Sequence, residues 1–177
     1  ANVTLDDWDY DPDGNLSVNL TAYWKLDEPT SSNNRSDYKG NNNLQTNSTI
    51  ERVEGVREGA ANFTASRVQF LNISDNADLS TGDIDFTVAA WVYVDSTTGR
   101  RAVASKDDGG TAREWEIDFG DGATAPRLNV CTSGGACDTL TSTTSVGTGT
   151  WAFIVAWRQA DDDDPRIQVN NGAVETV

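Results

Sequence analysis

Histidine and methionine are absent from the 177-residue chain. Without imidazole there is no Ser-His-Asp triad, no His-based acid–base pair and no His-ligated zinc. Lysine is confined to Lys25, Lys39 and Lys106, and the net charge is −15. Such a surface repels phosphates and anionic lipid, so nucleic acid is not an expected partner. No run of about 18 apolar residues occurs, and no membrane insertion is expected. The first residues are polar and acidic, without a signal-peptide pattern, as in a trimmed chain. Helical periodicity is missing throughout. Asp greatly outnumbers Glu, which suits either a salt-adapted acidic surface or calcium loops.

What the chain has instead is short strand-forming runs separated by Gly, Asn, Asp and Ser. The longest is Phe86-Thr87-Val88-Ala89-Ala90-Trp91-Val92-Tyr93-Val94-Asp95. It is apolar or aromatic on both faces, which predicts a central strand covered on both sides. Leu16 to Asp27 alternates with a period of two and predicts a half-buried strand ended by Pro29. Thr30 to Asn43 reads as a loop. Further strands are expected at 60–63, 68–73, 101–105, 114–119, 127–131, 151–157, 166–169 and 173–177. Thr139 to Thr150 reads as a polar connection. Asn170-Asn171-Gly172 is a strong hairpin-turn signal. Roughly ten short strands with Gly- and Asp-rich turns indicate an all-β, antiparallel two-sheet sandwich of the jelly-roll type. One domain over residues 20–177 is expected, preceded by an acidic segment, 1–19.

Cys131 and Cys137 flank Thr-Ser-Gly-Gly-Ala. A local disulfide closing a hairpin tip is expected, and with it an oxidising compartment; two free thiols are the alternative. Asp9, Asp11 and Asp13, with Gly14 behind them, match the first half of a calcium loop. The second half is missing, because Leu20 stands where a bidentate Glu belongs, so an exposed acidic turn fits equally well.

Several landmarks stand in one order: Ala22-Tyr23-Trp24-Lys25-Leu26-Asp27-Glu28, Asp37-Tyr38-Lys39-Gly40 with Asn42 to Leu44, and Gly55-Val56-Arg57-Glu58-Gly59-Ala60-Ala61-Asn62-Phe63. Asp85 to Val92, Trp151 to Trp157 and Gln168 to Gly172 follow. From about Leu20 onward the chain resembles the laminin G-like (LamG) domains of the concanavalin A-like lectin/glucanase superfamily. The resemblance implies a jelly roll in a secreted, cell-surface or virion-surface protein that binds carbohydrate or another surface ligand. It also implies structural calcium, with Asp37 as a second candidate ligand beside Asp9, Asp11 and Asp13; an Asx-turn role is the alternative for Asp37. It implies, too, two strands after the Asn-Gly hairpin, whereas this sequence ends at Val177. An open sheet edge invites self-association. Val3 to Tyr10 resembles the closing strand, with Leu5-Asp6 in place of an Ile-Asp pair, so this segment or a neighbouring molecule is expected to fill the edge.

Glu116-Ile117-Asp118-Phe119-Gly120-Asp121 resembles the catalytic strand of laminarinase- and agarase-type glycoside hydrolases. That resemblance implies Glu116 as nucleophile, Asp118 as helper and Asp121 as acid, with carboxylates about 5–5.5 Å apart. The acid position departs from the usual Glu, and Asp121 lies between two glycines, as in a turn. The competing expectation makes Glu114, Glu116 and Asp118 the solvated face of an edge hairpin. Among the tryptophans, Trp24, Trp91 and Trp151 are expected to be structural. Trp115 and Trp8 are the candidates for stacking on a sugar, although a core role is open for each. The leading expectation is a non-catalytic, carbohydrate-binding module; a hydrolase and a structural module of a larger surface protein are the alternatives.

Overall fold

The computed structural model describes residues 19–107, 113–131, 136–161 and 164–177. The chain divides into two compact units, Ala1–Asp78 and Leu79–Val177.

In the first unit, β1 (Asn34–Arg35), β2 (Leu44–Thr46) and β5 (Leu71–Asn72) form a small antiparallel sheet in the order β1-β2-β5, and β3 (Glu51–Val53) pairs with β4 (Ala60–Asn62). The turn joining β3 to β4 needs glycine at position 55, where any Cβ would meet the Gly59 carbonyl. Two expectations are corrected here. The segment read as a plain loop over Thr30 to Asn43 contains β1. The described part of the alternating run ending at Asp27 is not a regular strand: it makes one bridge, Trp24 to Asp37, and Leu26 then turns left-handed at φ 59°. That conformation breaks the extended period that the side-chain pattern alone suggested.

The second unit is a sandwich. One sheet has the order β13-β12-β11-β6, from β6 (Phe86–Tyr93), β11 (Trp151–Arg158), β12 (Pro165–Val169) and β13 (Glu175–Thr176). The other has the order β10-β9-β8-β7, from β7 (Arg101–Lys106), β8 (Trp115–Phe119), β9 (Pro126–Cys131) and β10 (Cys137–Thr141). β12 lies against β9 and β10. Inward positions alternate along each strand: Ala152, Ile154, Ala156, Ile167 and Val169 meet Ile117, Phe119, Leu128 and Leu140 in one core. Asn170 and Asn171 both have positive φ, at 50° and 56°, and the Gly172 N–H donates to the Val169 carbonyl at 2.9 Å. This is the tight hairpin turn that the Asn-Asn-Gly sequence predicts.

Three further expectations change. Among the described residues β6 pairs with β11 alone and stands at the end of this sheet's strand order, and Thr87, Ala89 and Tyr93 on its outer face are exposed. Its apolar outer residues cover one another across the strand pair instead, Trp91 on Phe153 at 5.2 Å and Tyr93 on Trp151 at 5.5 Å between ring centroids. The stretch read as a polar connection begins inside β10, where Thr139 and Thr141 lie on the outer face while Leu140 enters the core. β8, expected in an edge hairpin, has neighbours on both sides. Val3 to Tyr10, the expected closing strand, lies outside the described residues.

Candidate functional site

Strand alternation puts Ile117 and Phe119 of β8 in the core and Glu116 and Asp118 on the opposite face. A solvated acidic face was one expectation there; the structure overturns it. Asp118 has no exposed surface and Glu116 is 6% exposed. The cover is cationic. Register places Arg127 of β9 directly opposite Asp118; its Nε donates to Oδ1 at 2.7 Å and its Nη2 to Oδ2 at 2.9 Å. Arg100, just before β7, donates from Nε to Asp118 Oδ2 at 2.7 Å and from Nη2 to Glu116 Oε2. The hydrogen bond to Asp118 outweighs the opposing effect of Arg100's own burial and, with the charges of Asp118 and Glu116, holds the Arg100 guanidinium even more firmly protonated than usual. Asp118 thus accepts fork-like bonds from two sides, which meets the condition for keeping a carboxylate dry.

Around this cluster the outer face carries small polar groups. Ser105 of β7 stands opposite Glu116, and Glu116 opposite Asn129 of β9. Asn129 stands opposite Thr139 of β10 and accepts its hydroxyl hydrogen at 2.8 Å.

Asp121 does not join the acid pair. It occupies the exposed turn after β8, and its Oδ1 accepts the Gly99 N–H at 2.7 Å. Glu114 is also committed, binding the Thr81 N–H at 2.6 Å, the Thr81 hydroxyl at 2.8 Å and the Gly82 N–H at 3.2 Å. Burial alone would raise its carboxyl, but these donors and the Lys106 charge hold it below the usual range. Trp115 stacks on Phe86 at 5.9 Å and packs, partly buried, against the core. Trp8 lies outside the described residues.

Asp37 is brought to the middle of the first unit's loop. Burial pushes its carboxyl upward, yet the backbone N–H groups of Tyr23, Lys39, Asn41 and Asn42 outweigh it and hold it below the ordinary range. Oδ1 takes Tyr23 and Lys39 at 2.8 and 3.0 Å; Oδ2 takes Asn41 and Asn42 at 3.3 and 3.1 Å. A hard cation needs oxygen ligands with free lone pairs. Here four N–H dipoles point at the carboxylate, so these residues do not fit calcium and do fit a loop anchor. Asp9, Asp11 and Asp13 lie outside the described residues. Cys131 and Cys137 are bonded to each other at directly paired positions of β9 and β10.

Sequence reasoning missed Arg100 and Arg127. The signal was faint: Arg127 is the polar residue alternating with Leu128 in a return strand, and only the register shows that it faces Asp118.

No curated protein matches the chain. A laminin G family model, described as concanavalin A-like lectin/glucanases superfamily, matches residues 64–176, and with that span and a two-sheet antiparallel sandwich the chain belongs to this family.

Proposed function

We propose that the protein is a non-catalytic binding module, secreted or carried on a cell or virion surface, with carbohydrate as its ligand. The observation that carries the non-catalytic half is the pairing of Glu116 and Asp118 with Arg100 and Arg127. A retaining glycosidase needs one carboxylate free to attack the sugar and a second held protonated to release the leaving group. Here one guanidinium reaches both acids, a second closes on Asp118, and Asp121 is tied to a turn. Such a face offers fixed hydrogen-bond donors and acceptors and lacks a free nucleophile.

The carbohydrate half is supported by membership in a lectin and glucanase superfamily and by the polar outer row of Ser105, Asn129 and Thr139. The extracellular setting is supported by the Cys131–Cys137 bridge, since such bonds persist in oxidising compartments. The net charge of −15 argues against polyanionic partners. Among the described residues one side of β6 carries no paired strand, which gives a second copy a place to add one.

Incubation with β-glucans separates the readings. The module binds without releasing reducing sugar. Release by the wild type that Glu116→Gln abolishes makes the protein a hydrolase instead. A glycan array blank for every sugar makes it a structural module of a larger surface protein.

A further inference from the structure

The first unit contains a cleft of about 220 Å³ lined by Lys25, Asp27, Glu28, Ser36 and Tyr38. It lies outside residues 64–176 and shares no residue with the acid cluster on β8. Drug-sized pockets run to about 300–1,000 Å³; this one suits a single sugar ring.

Two antiparallel segments build it. The Tyr38 N–H donates to the Tyr23 carbonyl at 2.8 Å, and Trp24 bridges Asp37. That register sets Tyr23 opposite Tyr38 and Lys25 opposite Ser36, all on one face. The two tyrosine rings meet edge-on at 6.2 Å. A continuing strand would send Asp27 and Glu28 to opposite faces. The left-handed Leu26, at φ 59°, turns the chain so that both line the cleft. A branched aliphatic residue held there is strained, and strain of this kind collects at ligand sites.

The chemistry of the lining is specific. Tyr38 is 73% exposed, with the Lys25 ammonium 6.0 Å from its ring centroid. The Glu28 carboxylate is spent within the protein: Oε1 takes the Ser36 N–H at 2.6 Å and Oε2 faces buried Arg35 Nε at 3.6 Å. Asp27 differs. It is half-buried, its main-chain carbonyl accepts Arg52 Nε at 2.7 Å, and its carboxylate has no partner among the described residues. An open aromatic face beside an unspent carboxylate matches a pyranose, whose C–H face packs on the ring while adjacent hydroxyls donate to one carboxylate. Arg35 offsets Glu28, so the Asp27 carboxylate is the acidic charge the cleft presents, which favours a neutral sugar over a uronate.

We propose that this cleft is a subsite for one neutral pyranose residue, stacked on Tyr38 and held at two adjacent hydroxyls by Asp27. The proposal takes its class of ligand from the carbohydrate reading above and adds the place and the charge.

The test titrates the protein with neutral methyl hexopyranosides and neutral oligosaccharides, following amide shifts by NMR. Tyr38 is exposed and Asp27 unpartnered, so Tyr38→Ala and Asp27→Asn leave the melting curve unchanged. Each weakens binding by about tenfold or more, the size of one hydrogen bond to a charged group, while Tyr38→Phe binds nearly as the wild type does. Binding that both variants retain in full overturns the place and leaves the carbohydrate reading standing. Absence of binding by the wild type overturns both. Tyr38-dependent binding of uronates in preference to neutral sugars overturns the charge assignment.

Discussion

Arg127 closes on Asp118 with two hydrogen bonds, 2.7 and 2.9 Å long, across the middle of a sheet where Asp118 has no contact with solvent. A buried carboxylate is tolerated there because Arg100 binds it from the other side. Replacing Asp118 by Asn leaves two guanidiniums facing a neutral amide. The expected loss is about 3 kcal/mol, the low end for breaking a buried ion pair, because both arginines keep some contact with water. Chemical denaturation measures it. A change under ~0.5 kcal/mol contradicts the structural role given to the cluster.

Glu175 ties β13 to the strand end across the sandwich. The Thr143 N–H donates to its Oε2 at 2.6 Å and the Ser142 hydroxyl to its Oε1 at 2.7 Å. Together these push its carboxyl down to about 2. Folding therefore favours the ionised form. Its stabilisation is full above the ordinary value of 4.5 and is lost as pH falls towards about 2. A Glu175→Gln variant is expected to be less stable at neutral pH and to lose less stability over that acid interval. Denaturation midpoints taken from pH 7 downward give the comparison; parallel curves for the two proteins refute it.

The bridge between Cys131 and Cys137 closes a short loop at the β9–β10 tip. Loop-closure entropy for so short a segment gives about 2 kcal/mol. Reduction, or Cys131→Ser with Cys137→Ser, is expected to lower stability by that amount while the sandwich core stays folded. Near-ultraviolet circular dichroism of the reduced protein checks the second point.

Asp37 is surrounded by N–H groups, so its loop is expected to be held without a cation. Asp37→Asn lowers the melting temperature equally with calcium and with chelator. A wild-type response to chelator that the variant lacks contradicts this assignment and restores Asp37 as a calcium ligand.

Much of the sandwich was readable from side-chain period. The apolar run Trp151 to Trp157 and the short run Arg166 to Val169 both read as strands, and the strands found there alternate between buried and half-buried positions. β10 was hidden because Leu140 is its one core residue; its strand character comes from pairing with β9 and from the disulfide. The apolar faces of β6 suggested a central position, but lateral stacking of Trp91 on Phe153 and Tyr93 on Trp151 accounts for them. Nor does alternation distinguish a solvated acid from one capped by a neighbouring strand. Glu116 and Asp118 look exposed until register supplies Arg127 and the preceding loop supplies Arg100. Tyr38 was part of a family landmark in the sequence, and its exposure beside Asp27 depends on the turn at Leu26, which no local pattern announces.

The most direct test pairs calorimetry with a reducing-sugar assay on the same wild-type protein and the same neutral β-glucan oligosaccharides. The account predicts measurable heat of binding and no release of reducing ends over prolonged incubation. Release that disappears in Glu116→Gln would contradict it.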